Sequence, residues 1–345
     1  MEITYEFEKP IAQLESKLNE LKALNEDESM DLQDEIKILE NKLQKLIEDI
    51  YSKLNSWQKV QLSRHPNRPY TKDYIEALFP DFKELQGDRT YSDDPAIIGG
   101  FATWTLPNEK KETVLILGHQ KGRTTKSKMK RNFGMAKPEG YRKAIRLMQT
   151  ANRMKIPVIT FIDTPGAYPG IEAEERGQAQ AIAESIRIMF TLDVPTLSIV
   201  IGEGGSGGAL ALGIGNQVLM QEYSTYSVIS PESCASILWS DSKLSEQASE
   251  KLKMNPEHLM NLKLIDAVIK EPKGGAHRDW QETFSLMKNS IHQHLDPYFE
   301  MSWSCKKRNS NGQVKIDLKE DRIQKFRNMG LEAVIQSPIN QRSES

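Results

Sequence analysis

Two runs of apolar positions near the start of the chain recur at intervals of three and four residues. They are Ile11, Leu14, Leu18 and Leu21, then Ile36, Leu39, Leu43, Leu46 and Ile50. That spacing puts each set on one face of a helix. The polar stretch 25–29 interrupts the pattern, so residues 11–54 read as a helical hairpin. Two or three heptads per arm are short for an autonomous coiled coil. Packing against the rest of the protein or a partner subunit is therefore expected.

From about residue 73 the pattern changes. Residues 114–117 form an uninterrupted apolar run ending at Gly118, residues 157–162 form a second ending at Asp163, and residues 195–201 form a third. Helix-like stretches at 141–154 and 178–190 lie between them. Apolar strands alternating with helices of this length predict an α/β fold with βαβ units, a buried parallel sheet and right-handed crossovers. Ligands of such folds gather at the carboxyl ends of the strands. The loops at Gly118, Asp163 and Gly202 are thus expected to share one face. Pro66, Pro69 and Pro80 punctuate a linker-like segment upstream. From Ser304 the chain turns polar, with a modest helix signal at 322–329 and a last dozen residues expected to be disordered. The expected organisation is a hairpin and linker over 1–72, a compact domain over 73–295 and a polar tail over 296–345.

Composition narrows the classes. A chain of 345 residues, 38% hydrophobic and 27% charged, suits a soluble protein with a sizeable core in one large or two ordinary domains. A net charge of −2 gives no general drive toward nucleic acid or anionic membrane. No apolar run approaches the roughly 20 residues a spanning helix needs. The opening residues read as neither a signal nor a transit peptide. Cys234 and Cys305 are the only cysteines and form no C-x-x-C pair, which excludes a zinc ribbon and disfavours a disulfide scaffold. With no clustered histidines in the sequence either, no metal site is expected, and a reducing, cytoplasm-like compartment fits.

The densest chemistry lies in Gly202-Glu203-Gly204-Gly205-Ser206-Gly207-Gly208-Ala209, between the third strand and a small-residue helix. Glycines there bring backbone N–H groups close to a neighbour, where helix geometry leaves those donors unpaired. Such a loop suits an anion or a developing oxyanion; the bland alternative is a turn that packs a helix tightly on a sheet. A P-loop would need Lys and then Ser or Thr after the last glycine, and Ala209-Leu210 stand there. Gly202, Gly204 and Gly207 formally match G-x-G-x-x-G, but no acidic residue ends a second strand at the usual distance. Gly204-Gly205-Ser206-Gly207-Gly208 also matches the G-x-S-x-G nucleophile elbow, with His258, His277, His292 and His294 downstream as candidate partners.

The other two loops are less specific. After the first strand comes the basic run Lys121, Arg123, Lys126, Lys128, Lys130 and Arg131. A solvated face, a subsite for an acidic partner or phosphate-bearing cofactor, and a nucleic-acid surface all remain open, the last disfavoured by sparse aromatics. His119 reads as a loop or core histidine. Asp163-Thr164-Pro165-Gly166 has the form of a GTPase D-x-x-G motif, but without a P-loop it reads as a tight turn. Glu172, Glu174 and Glu175 complement the start of the next helix.

Long ordered strings then carry a resemblance. They include Phe7-Glu8-Lys9-Pro10-Ile11, Arg64-His65-Pro66-Asn67-Arg68-Pro69-Tyr70 and Gly118-His119-Gln120-Lys121-Gly122-Arg123. Arg131-Asn132-Phe133-Gly134-Met135 and Pro138-Glu139-Gly140-Tyr141-Arg142-Lys143-Ala144 follow, then Ile162-Asp163-Thr164-Pro165-Gly166-Ala167-Tyr168-Pro169-Gly170 and Ala173-Glu174-Glu175-Arg176-Gly177-Gln178. The glycine loop itself, Tyr223-Ser224-Thr225-Tyr226-Ser227-Val228-Ile229-Ser230-Pro231-Glu232 and Gly274-Gly275-Ala276-His277-Arg278 complete the set. Over about residues 5–295 the chain closely resembles the α-subunit family of the multi-subunit acetyl-CoA carboxylase carboxyltransferases. The insert-like residues 105–113, Ala136-Lys137 and the tail after Pro297 depart from the pattern.

The resemblance implies a crotonase (ClpP-like) fold of stacked ββα units. It implies transfer of a carboxyl group from carboxybiotin, on a biotin carboxyl carrier protein, to acetyl-CoA, giving malonyl-CoA for fatty acid biosynthesis. The implied partners are a β subunit bearing a zinc ribbon, in an α2β2 heterotetramer, and a separate biotin carboxylase that consumes ATP. It implies a cytoplasmic protein, or a stromal one if plastid-encoded. Carried onto this sequence, Gly207 and Gly208 are the backbone oxyanion donors and Gly204 and Gly205 shape the loop. Gly166, Ala167 and Tyr168 line the biotin or substrate side, and Lys121, Arg123 and Lys126 are possible CoA or partner contacts. No side-chain base is required, because the biotin ureido nitrogen can take the methyl proton. A stand-alone crotonase-type acyl-CoA enzyme and a serine hydrolase using Ser206 are the alternatives.

Overall fold

A computed structural model describes residues 4–26, 32–300 and 317–331. The two apolar runs form helices α1 (Lys9–Glu26) and α2 (Gln33–Tyr51), which pack side by side. Their inward residues Ile11, Ile47 and Tyr51 meet Leu62 and Tyr223 in a small apolar cluster, so the hairpin is seated on the body of the chain. Two short helices follow, α3 (Ser56–Ser63) and α4 (Thr71–Leu78).

The segment between α3 and α4, read from its prolines as linker-like, is instead core. His65 and Arg68 are each 2% exposed. Arg68 forks onto both carboxylate oxygens of the buried Glu271 at 2.7 and 2.8 Å and also reaches Ile201 O and Gln221. A buried guanidinium needs such a full set of acceptors. Those acceptors come from remote parts of the sequence, out of reach of local pattern reading.

One eight-stranded sheet organises the body. Its strands are β1 (Lys83–Glu84), β2 (Ile97–Thr105), β3 (Lys111–His119), β4 (Val158–Thr164), β5 (Thr196–Gly205), β6 (Gln217–Gln221), β7 (Thr225–Ser227) and β8 (Ala267–Ile269). The order is β1-β2-β3-β4-β5-β6-β8, with β7 added beside the end of β5. β2 pairs antiparallel with β3, so the insert-like residues 105–113 include a hairpin turn. β3 through β6 run parallel.

The remaining helices are α5 (Thr125–Lys130), α6 (Pro138–Met154), α7 (Ile171–Glu175), α8 (Gln178–Thr191), α9 (Ser206–Leu210), α10 (Pro231–Trp239), α11 (Ser245–Leu252), α12 (Pro256–Asn261), α13 (Trp280–Glu300) and α14 (Leu318–Asn328). α6 and α8 cover one face of the sheet. α4 and α13 cover the other. Leu115, Leu117, Val158, Ile162 and Val200 point to the first face. Ile116, Ile159, Phe161, Leu197, Ile199 and Ile201 point to the second. With both faces covered, the strands read as continuous apolar runs rather than alternating ones.

α14 is pinned by Arg322, which reaches the carbonyls of Met189, Leu192 and Val194 at 2.8 to 3.1 Å. The expected disorder of the last dozen residues, and Cys305, lie outside the described residues. Among the described residues no helix is long and apolar enough to cross a membrane.

Candidate active site

Because β3, β4 and β5 are parallel neighbours, their carboxyl ends open onto one place. The residues that meet there are Lys121, Asp163 and Glu203. The ammonium of Lys121 lies 2.8 Å from Asp163 Oδ1 and 2.8 Å from Glu203 Oε2. Asp163 sits at an irregularity in the pairing of β4 with β5, and its Oδ1 accepts the backbone N–H of Glu203 at 3.0 Å. Gly202 must be glycine here, since a Cβ would stand 2.4 Å from that same oxygen. On the other side Arg64, at the end of α3, donates to Glu203 at 2.7 Å and also pairs with Glu232 of α10.

These charges settle one another. Burial works against the Lys121 ammonium, but two carboxylates hold it above the ordinary lysine range. Burial pushes the carboxyl of Glu203 up, yet Lys121 and Arg64 bring it below the ordinary value. The carboxyl of Asp163 is pushed up by burial, with Lys121 opposing. His119, fully buried at the end of β3 two residues before Lys121, is pushed down to about 3 by desolvation and stays neutral.

Beyond Glu203 the strand continues further than its apolar pattern predicts. Gly204 and Gly205 still belong to β5 because they pair with Tyr226 and Ser227 of β7. The chain then bends at Ser206, an exposed residue with φ 54°, into the five-residue α9. The loop lies directly on the turn after β4. A Cβ on Gly205 would come 2.1 Å from Pro165 O, and one on Gly208 would come 2.6 Å from Ala167 N. Both contacts are with backbone, which cannot give way. Gly207 differs, its added Cβ meeting only Ile182 at 3.4 Å. The amides of Ser206, Gly207 and Gly208 open α9 and so have no acceptor within it. A helix this short adds little dipole, so the individual donors carry the electrostatics.

The opposing turn is tight, as Pro165 and Gly166 suggest. Gly166 takes φ 155°, and Thr164 Oγ1 accepts its N–H at 3.1 Å. Tyr168 is anchored by its N–H to Ala136 O at 3.0 Å, and Lys137 lies 4.8 Å from its ring centre. Gly166, Ala167 and the glycine loop therefore form one surface, with Tyr168 next along the chain. The three candidate cations do not. Lys121 is turned inward. Arg123 pairs with Asp73, donates to Pro66 O at 2.7 Å and stacks between Tyr70 and Trp280. Lys126 is exposed on α5.

Ser206 at a strand–helix bend has the outline of a nucleophile elbow, but three of the four candidate histidines are engaged elsewhere, and the fourth, His258, lies on α12 with its buried Nδ1 unpartnered. His277 pairs with Glu8, His292 with Asp296 and His294 with Gln217. The sequence motifs contain Glu203, Arg64 and Glu232 but assign none of them a role in the site. The signal was available for Glu203, a charged residue directly after an apolar strand run.

No metal site is expected from the sequence, where the histidines are scattered; the fold brings His65 and His277 together, ring centres 4.1 Å apart, beside Glu8, a grouping that could hold a metal ion. Glu8 accepts from Tyr51 Oη at 2.7 Å and from the N–H of Tyr5 at 3.3 Å, with His277 Nε2 at 3.2 Å from its Oε1. His65 Nδ1 accepts the N–H of Asn67 at 3.2 Å.

A family model described as acetyl co-enzyme A carboxylase carboxyltransferase-like matches residues 4–330. The carboxyl transferase subunit alpha of Thiobacillus denitrificans acetyl-coenzyme A carboxylase is 53% identical over 286 residues, spanning 83% of this chain and 87% of that protein. The same subunit of Dichelobacter nodosus is 54% identical over 291 residues, 84% of this chain and 90% of that protein. Among solved structures, transcarboxylase 12S with methylmalonyl-coenzyme A superposes with a TM-score of 0.53 at 17% identity, over 72% of this chain and 45% of that one. The beta subunit of Pseudomonas aeruginosa geranyl-CoA carboxylase gives a TM-score of 0.51 at 15% identity, over 76% of this chain and 48% of that one. The fold is accordingly the crotonase-like fold of carboxyltransferases.

Proposed function

Because the chain belongs to the family of acetyl-CoA carboxylase carboxyltransferase α subunits, we propose that its glycine loop is one half of a split carboxyltransferase site. The N–H groups of Gly207 and Gly208 stabilise negative charge on the biotin ureido oxygen. Gly204 and Gly205 keep the loop flat, and Gly166, Ala167 and Tyr168 form the wall beside it. The observation that carries this reading is the close packing of Gly205 and Gly208 on the backbone of residues 165–167, where an added Cβ would come within 2.1 and 2.6 Å of backbone atoms. Pre-aimed donors of this kind are a large term in acyl chemistry.

Carboxybiotin, when bound on its carrier protein, supplies the activated carboxyl group that converts acetyl-CoA into malonyl-CoA. This chain need offer no base, which agrees with a neutral, buried His119. Charge also builds on the thioester oxygen, and one glycine loop serves one oxygen. The second set of donors therefore comes from a β subunit, the zinc-ribbon chain, in an α2β2 assembly. Biotin carboxylase spends ATP to recharge the carrier, and the setting is cytoplasmic. Of the candidate cations, Lys126, exposed on α5, is the one we assign to a phosphate-bearing or acidic contact, since Lys121 is enclosed by two carboxylates and Arg123, though exposed, is held by Asp73 and Pro66 O.

Reconstitution tests this directly. The purified chain alone should form no malonyl-CoA, and adding the β subunit with carboxybiotin should start turnover. Turnover by the lone chain would point to a stand-alone crotonase-type enzyme, and fluorophosphonate labelling of Ser206 to a hydrolase.

A further inference from the structure

The basic run after β3 contains one cation that does not behave as surface charge. The Lys121 side chain is 13% exposed, and its two partners stand at the ends of the next two strands. Glu203 directly precedes the glycines, and its N–H is held by Asp163. Lys121, Asp163 and Glu203 thus close a ring at the root of the loop.

We propose that Lys121 is a positioning residue for carboxyl transfer, fixing the glycine loop and cancelling the negative charge that would otherwise sit behind its donors. The proposal rests on the reading of that loop as an oxyanion cradle. Two carboxylates so close, without a cation, would repel each other and weaken the positive potential the cradle offers to a developing oxyanion. Lys121 removes that effect and ties β3, β4 and β5 at the same time.

The surroundings decide what happens without it. Arg64 remains on Glu203, and Glu232 shares that guanidinium. Glu203 therefore keeps a cation. Asp163 has Arg68, Tyr70 and Tyr74 in its field but no ion pair other than Lys121 among the described residues. Tyr5 faces Glu203, and the neutral His119 faces Lys121. With Lys121 gone, Asp163 is the group that takes up a proton, and burial raises its affinity for one. That proton restores neutrality behind the loop as the pH falls.

The test uses the assembled α and β subunits with carboxybiotin and acetyl-CoA. Lys121→Met should lower kcat at pH 8 by about 10²-fold, comparable to losing one oriented donor, with the KM for acetyl-CoA unchanged. The ratio of variant to wild-type kcat should climb as the pH is lowered from 8 to 6. Lys121→Met combined with Asp163→Asn, which keeps the acceptor for the Glu203 N–H but removes the surplus charge, should recover most activity at all these pH values. If Lys121→Met fails to assemble, Lys121→Gln should show the same pH signature. A kcat ratio near one across the range would overturn the proposal. So would a large loss that neither low pH nor Asp163→Asn relieves, which would instead place Lys121 on the substrate. Wild-type complex without carboxyl transfer would overturn the functional reading itself, a result distinguishable from either.

Discussion

The hairpin and the strand-end cluster use charge in opposite ways. On the hairpin, Lys22 pairs with Glu40 and Lys53 with Asp49 while all four side chains remain about half exposed or more. Screened pairs of that kind contribute little, and the hairpin is held instead by its apolar seam with Leu62 and Tyr223. At the ends of the parallel strands, Arg68 and Glu271 are 2% and 0% exposed at the side chain. Lys121, Asp163 and Glu203 are nearly as deep. There each charge has lost its water and depends on its partner. The same residue types are therefore tolerant decoration in one region and fixed geometry in the other.

The largest expected effect comes from breaking the deepest pair. Arg68→Ala leaves Glu271 buried and unpaired and should destabilise the chain by about 3–5 kcal/mol, measured by urea unfolding. The pair also sets an acid limb. Burial pushes the Glu271 carboxyl up, but Arg68 and the N–H groups of Tyr223 and Ala276 bring it below the ordinary range. A carboxylate depressed in the folded state stabilises above its unfolded pKa of about 4.3 and loses that contribution as pH falls through the folded value. In Arg68→Ala the sign reverses, because protonation relieves the orphaned charge. Stability of the variant relative to wild type should improve as pH falls.

Ser206→Ala should be milder. The residue neighbours the proposed donors but is exposed and offers no paired histidine, so most carboxyltransferase activity should survive in the assembled enzyme. A trapped acyl-serine would contradict this. Smallest of all is Lys22→Ala on the hairpin, for which about 0.2–1 kcal/mol is expected in the same unfolding assay. A loss as large as that of Arg68→Ala would erase the contrast between the two regions.

The same contrast governs what could be read from sequence. Apolar periodicity located α1, α2 and α6 and the cores of β3, β4 and β5, because burial of those faces depends on local spacing. It stopped at Ile201, whereas β5 runs on to Gly205. Glycines carry no hydrophobic signal, and their pairing with β7 is a long-range event. It misread residues 64–70 as linker because prolines mark turns without revealing that Arg68 meets Glu271. It placed Lys121 in a surface run because a sequence does not say which lysine of a cluster turns inward. The glycine loop itself was legible, since four glycines around a serine are more than a turn requires. Its support was not, because the close approach of Gly208 to Ala167, which would leave an added Cβ only 2.6 Å from Ala167 N, depends on how two loops meet.

That approach supplies the most direct test of the central claim, that the loop's backbone is the catalytic element. The measurement is kcat for malonyl-CoA formation by the assembled enzyme carrying Gly208→Ala or Gly207→Ala. A methyl at 208 must displace the backbone of residues 166–167, whereas one at 207 meets Ile182 at ordinary contact distance. The account predicts that Gly208→Ala lowers kcat by about 10²–10³-fold, the usual cost of one misplaced donor. Acetyl-CoA KM should stay unchanged, and Gly207→Ala should lose far less. Near wild-type kcat in an assembled Gly208→Ala enzyme would contradict it.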